Sequence, residues 1–193
     1  MSNKGVSMEQ LEDNLEQWCR DIKTYHIPRW DELPDFDLYM DQVIGYIEKC
    51  LGLPLNNDSN RIITPAMINN YTKSKMIPSP TNKKYGKKHL AYLIAITLLK
   101  QVITISEIKD GISYQFSLYG EKGAYDMFCE EQEIALRNVI LHVLEVRQAE
   151  QANSEMAENL TLRMAAAAFS NKVIAEKVIK IQNNILAEKK ASV

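Results

Sequence analysis

Apolar side chains recur at three- and four-residue steps over most of this chain, the periodicity of amphipathic helices. Met8, Leu11, Leu15, Trp18 or Cys19, and Ile22 trace a first helix, with Ser7 as its N-cap. Pro28 and Pro34 interrupt the next stretch, so HIPRWDELPDFD reads as an ordered connection with one helical turn, docked by Trp30 and Phe36. A second helix is predicted from an Asp37 N-cap through Leu38, Met40, Val43, Ile44, Ile47 and Leu51, ended by Gly52 and Pro54. Asn56 to Asn60 is a loop by composition. Thr64 as N-cap and Pro65 at the first helical position open a third helix, which Pro78 and Pro80 close. Its Met67, Ile68 and Tyr71 form an inward stripe.

MIPSPTNKKYG is too short and too rich in proline for a helix, and reads as two brief extended pieces ending in Lys83, Lys84 and Tyr85. HLAYLIAITLLKQV comes next, apolar around most of its circumference and therefore a core helix. Ser106 caps a short helix that Gly111 ends, and Gly120 and Gly123 mark a turn. A long helix then runs over 124–148, with Tyr125, Phe128, Leu136, Val139, Ile140, Val143 and Val146 on its apolar side. A break is expected near Asn153 and Ser154, or a continuation. In the last helix, about 159–189, Ile174, Val178, Ile181 and Ile185 alternate four and three apart. Such a seam suits a helix of the same chain or of a second copy. The expected architecture is mainly α, divided into 1–36, 37–118 and 119–193.

Charge sharpens that picture. Residues 61–100 carry eight Lys or Arg and no Asp or Glu, whereas residues 1–60 carry 5 basic and 12 acidic side chains. The formal net charge of −2 therefore hides a dipolar chain. Such one-sidedness points to an anionic partner, double-stranded DNA first. Asn69 and Asn70, with Lys73 and Lys75, stand on the outer side of the third helix, where amides can pair with adenine and lysines can meet phosphates. Lys87, Lys88 and His89 oppose the dipole of the following helix, a conflict that a phosphate there would relieve. A surface meeting an acidic protein, or the acidic N-terminal segment itself, is the other reading of the same charges.

Other chemistries find little footing. There is no Gly-rich phosphate loop and no GxSxG, so an enzyme is not expected. Three histidines and three cysteines fit no ligand spacing, so no metal or cofactor is expected, and the thiols suit a reducing cytoplasm. No signal peptide is visible, and the longest apolar run, Leu90 to Leu99, is about half a membrane span.

Thr64 to Leu90 resembles the winged helix-turn-helix of MerR-type transcription regulators. Ile68-Asn69-Asn70-Tyr71 falls where that family has Leu-Arg-Tyr-Tyr, Lys75-Met76-Ile77-Pro78 matches its helix exit, and Asn82-Lys83-Lys84-Tyr85 matches its wing element. Leu90 and Leu93 match its packing leucines. Ala66 and Asn69 stand where arginines are frequent, and about a dozen residues, Gly52 to Ile63, replace the tight turn. IPRWDELPDFDLYMDQV with ITPAMINNYTKSKMIP also looks like the hallmark of a bacterial family known only as a domain of unknown function, over roughly residues 25–130. The MerR-like resemblance implies a winged helix-turn-helix with a short β-hairpin wing and a recognition helix over 65–75. It implies DNA contacts from Thr64, Ala66, Asn69, Asn70, Lys73, Lys75, Lys83, Lys84, Tyr85, Lys87 and Lys88. The implied protein is a cytoplasmic, sequence-specific regulator, homodimeric through its C-terminal helices.

Overall fold

The computed structural model describes residues 8–55, 61–150 and 160–191, and is mainly helical. Six α-helices run in order: α1 (Met8–Lys23), α2 (Met40–Leu51), α3 (Pro65–Lys73), α4 (Lys87–Leu99), α5 (Ile105–Glu150) and α6 (Leu160–Ala191). A single 3₁₀ turn, Trp30–Glu32, sits between α1 and α2. None of the helices described is long and apolar enough to cross a membrane.

α4 is the hub. Leu90, Leu93, Ile94 and Ile96 are fully buried, and apolar positions face inward on every side of the helix, so it is wrapped rather than amphipathic. α2 lies against it through Val43, Ile47 and Leu51, and α5 through Ile108, Tyr125 and Cys129, while α3 packs on α2 and adds Ile68 and Tyr71 to the same core. Ile27 and Leu33, from the connection after α1, complete the same core, which thus draws on all three expected segments. Each fully buried side chain of this size contributes about 1.5–3 kcal/mol. A smaller cluster joins Cys19 and Ile22 of α1 to Ile140 and Val143 near the far end of α5, with Met164 of α6 beside it. Of the two candidates on α1, Cys19 is buried and Trp18 is exposed.

Several local expectations are corrected. Asp37 does not cap α2. Residue 38 is drawn into an antiparallel bridge with Tyr85, so the helix starts at Met40, and the Tyr39 N–H donates to Gln42 Oε1 at 2.9 Å. Phe36 is 68% exposed, while Trp30 packs edge-on to Tyr125 at 6.3 Å. Pro78 and Pro80 do not end α3. The helix closes sooner, through Lys75 N–H to Thr72 O at 3.0 Å and Met76 N–H to Tyr71 O at 2.9 Å, with Lys75 left-handed at φ 55. These are the two bonds of a Schellman motif.

The helix expected to stop at Gly111 runs on, opened by Thr104 and Glu107, which cap each other's N–H groups at 2.8 and 3.4 Å. The real break is Gly120, at φ 69 and ψ 176, which divides α5 into two arms, and Gly123 is helical. Val139, placed on the buried side of α5 by its spacing, is 50% exposed. Ser7, the 56–60 loop, the 153–154 break and the start of α6 at 159 lie outside the described residues, as do the side chains of Val146 and Ile185.

Between α3 and α4 the described residues form no strand. Thr81 and Lys84 make an isolated bridge, and Leu38 and Tyr85 make another through a reciprocal pair of 2.9 Å bonds.

Candidate nucleic-acid interface

α3 is held from three sides. Thr64 Oγ1 accepts the Met67 N–H at 3.3 Å, Pro65 needs no partner for its nitrogen, and Ile68 and Tyr71 anchor the inner stripe, with Met67 half-buried beside them. Ala66, Asn69, Asn70 and Lys73 are thereby left exposed on the outer side. At the far end Ser74 Oγ donates to Asn70 O at 2.9 Å, and Lys109 Nζ, reaching over from α5, donates to Ser74 O at 3.3 Å. Lys109 gave no signal in the sequence. It lies between Glu107 and Asp110 in an ordinary mixed helix face, and only the fold carries it to α3.

The segment after α3 turns on Asn82 and Lys83, at φ 52 and 61, between bonds of 3.1 and 2.9 Å that tie Thr81 to Lys84. Two successive left-handed residues make this a type I′ turn, in which glycine is the usual second residue. Lysine there, as at Lys75, adopts a backbone region costing roughly 1–2 kcal/mol for a residue with a β-carbon. Both lysines are exposed. Lys84 is half-buried, its Nζ 5.2 Å from the Tyr39 ring centre in a cation–π contact.

Tyr85 does not belong to this surface. Its backbone is bridged to Leu38, its ring meets His89 edge-on at 5.4 Å, and only 3% of it is exposed. Burial accordingly pushes its phenol above the ordinary range. The position that matches a wing element in sequence is a core residue in space.

At the start of α4 the acid-free window ends its usefulness as a guide. Lys87 is paired with Asp35, and Lys88 with Glu121 of α5. The hydrogen bond to Glu121 raises the Lys88 pKa, outweighing the opposing effect of burial. Asp37 Oδ1 lies 2.8 Å from where a β-carbon on Gly86 would stand, beside the α4 N-terminus. Carboxylates from this same chain thus answer the cations that oppose the helix dipole, and the expected opening for a phosphate is occupied by them. His89 Nδ1 accepts the Gly86 N–H at 3.0 Å, so the imidazole caps the start of the helix. Lys100 is also committed: its Nζ donates to Ile62 O at 3.0 Å, steadying the entry to α3, and desolvation lowers its pKa.

Four cations of the window, Arg61, Lys73, Lys75 and Lys83, are exposed and pair with no carboxylate among the described residues. With the amides of Asn69 and Asn70 they combine point charges for an anion with groups able to read a donor–acceptor pattern.

A family model described as a domain of unknown function, DUF1836, matches residues 28–128, more than half of the chain. The matched span starts at the connection before α2 and ends on the second arm of α5, so it takes in α3, the turn at 82–83 and α4 together. No curated protein and no solved structure matches the chain. On the strength of that span, the chain belongs to the DUF1836 family.

Proposed function

We propose that this protein binds duplex DNA as a sequence-specific regulator, with α3 entering the major groove. The observation that carries the reading is the outer side of α3. Ala66, Asn69, Asn70 and Lys73 stand exposed with no acid among them, flanked in sequence by lysines at 75 and 83 that are held in left-handed backbone. A solubilising face needs no such backbone, and glycine would be the easier residue at both positions. The order α2, α3, tight turn, α4, with residue 38 bridged to residue 85, supports a compact variant of the winged helix-turn-helix. In this reading Asn69 and Asn70 read base edges, and Arg61, Lys73, Lys75 and Lys83 hold phosphates. Lys87 and Lys88 join them only by leaving Asp35 and Glu121. The protein acts as a homodimer joined through α6, whose Ile174, Val178 and Ile181 are exposed.

Fluorescence anisotropy with labelled duplex over a salt series tests this. About four to five phosphate contacts per protomer, eight to ten for the dimer, give a log–log slope near −8. Lys73→Ala or Lys83→Ala should each reduce that slope by about 2, one contact per protomer, while Asn69→Ala should flatten base preference by about 1–3 kcal/mol at the pair read. A chain that stays unbound at low salt, or binds with no salt dependence, removes the proposal. The Lys87–Asp35 and Lys88–Glu121 pairs favour a second reading at that end of the surface, in which the chain's own acids compete with phosphate. Asp35→Asn should then tighten DNA binding, and unchanged affinity would count against the competition.

A further inference from the structure

A cavity of about 200 Å³ lies where α4, both arms of α5 and α6 converge. Ala95 of α4, Gly111 and Gln115 of the first α5 arm, Tyr125 of the second, Ile179 of α6 and Trp30 are among its walls. Three observations separate it from an ordinary packing defect. It is larger than the roughly 150 Å³ engineered cavity known to admit benzene. Gly111 sits inside a helix, where alanine is favoured, yet a β-carbon there would meet nothing within 4 Å. Gln115 Oε1 is buried with no hydrogen-bond partner, an acceptor left without a donor.

The lining also states what would fit. It is chiefly apolar and aromatic, with Tyr92 and Phe116 set edge-on at 5.3 Å. No Lys, Arg or His lines it, and Glu107 on its edge is engaged with the Thr104 N–H and hydroxyl. An anion would find no counter-charge, and a strongly polar molecule would find too few partners.

We propose that this cavity binds a neutral aromatic or heteroaromatic molecule of about eight or nine heavy atoms that donates one N–H or O–H to Gln115 Oε1, scaling from benzene in the smaller cavity. The ligand touches α4, α5 and α6 at once, so its occupancy fixes how α6 lies against the helices that carry α3. This site is independent of whether the protein reads DNA, and its test is direct binding to the full chain.

Indole and benzofuran are the probes, alike in size and differing in the ring N–H. By calorimetry, indole should saturate one site with a Kd below about 1 mM. Benzofuran should bind about three- to tenfold more weakly, the equivalent of one net hydrogen bond. Gln115→Leu should bring the two probes level. Gly111→Leu fills the space with a better helix former, so it should keep the helical circular dichroism of the parent chain and bind neither probe. Failure of indole to saturate the parent chain, or unchanged indole binding by a folded Gly111→Leu, overturns the proposal.

Discussion

Residues 25–33 and α6 both lie against α5, and they are attached in opposite ways. The first seam is built from buried polar groups with every partner in place. Glu133, its side chain 6% exposed, accepts the Ile27 N–H at 2.8 Å and a two-pronged pair from Arg29 at 2.7 and 2.9 Å. Tyr125 donates to Pro28 O at 2.8 Å, and the Trp30 N–H donates to Asp126 at 2.7 Å. Among the described residues the second seam has one side-chain hydrogen bond, Asn183 to Asp110 at 3.2 Å, beside the cavity. The apolar series on α6 faces away from α5: Ile174 is 64% exposed and Ile181 46%. One face of α5 is closed by paired polar groups, and the other borders the cavity, with the exposed apolar series of α6 beyond it.

The comparison breaks first at Glu133. Removing one member of a buried, hydrogen-bonded ion pair leaves the other charge stranded, at a cost of about 3–5 kcal/mol. Glu133→Ala should therefore lower the unfolding midpoint by roughly 6–20 °C, at about 2–4 °C per kcal/mol for a chain of this size. A loss below about 1 kcal/mol in urea titration would mean that the seam is not the fixed one.

Acid tests the same group more gently. Burial alone would push the Glu133 carboxyl up, but the Arg29 and Ile27 hydrogen bonds, with the nearby Arg29 and His26 charges, outweigh it and hold the carboxyl at about 2. A carboxyl lowered on folding stabilises the native state above its unfolded value, near 4.5, and that contribution fades as pH falls toward 2. The loss should be about 2–3 kcal/mol between pH 5 and pH 2. Asp31, lowered by its bond to Lys122, and Glu32, lowered by the Arg29 N–H, are exposed and add little. Urea unfolding at pH 5 and pH 2.5 should show the drop in the parent chain and most of it gone in Glu133→Gln. An equal drop in both would assign the acid sensitivity elsewhere.

Most helices were legible because periodicity and caps are local properties. Thr64-Pro65 marked the start of α3, and the run after His89 marked a helix buried on all sides. What escaped was set by groups distant in sequence. Along the chain Glu133 is one of several neighbouring acids, with Glu130 and Glu131, and only the fold brings Arg29 to it across 104 positions. The basic window looked free of acid because Asp35 and Glu121 lie outside it along the chain, though not in space. Tyr85 matched a surface motif, yet its pairing with Leu38 turned it inward. The outer side of α3 was readable for the opposite reason: an amphipathic helix shows its exposed residues by spacing alone.

The smallest effect on the subunit's own stability is expected on α6, where the comparison becomes sharpest. Ile174, Val178 and Ile181 repeat at four and three, and Asn171 continues the series one step earlier. Over 171–184 the partly buried positions are Ala175, Glu176, Ile179, Gln182 and Asn183. An intrachain hairpin would turn the apolar series toward α5, but here it faces outward along a helix of 32 residues, about 48 Å long. A seam of that spacing suits a second helix of like pattern, and in the proposed dimer a second copy of this chain would supply it, with Asn171 placed to fix register. Ile174→Asp with Val178→Asp should leave monomer stability within about 0.5 kcal/mol, because both residues are already exposed. The same change should convert a dimer to a monomer in sedimentation equilibrium and abolish any rise of Tm with protein concentration. A parent chain that sediments as a monomer, or a variant that unfolds several kcal/mol more easily, would place this face of α6 inside the subunit and end the contrast between the two seams.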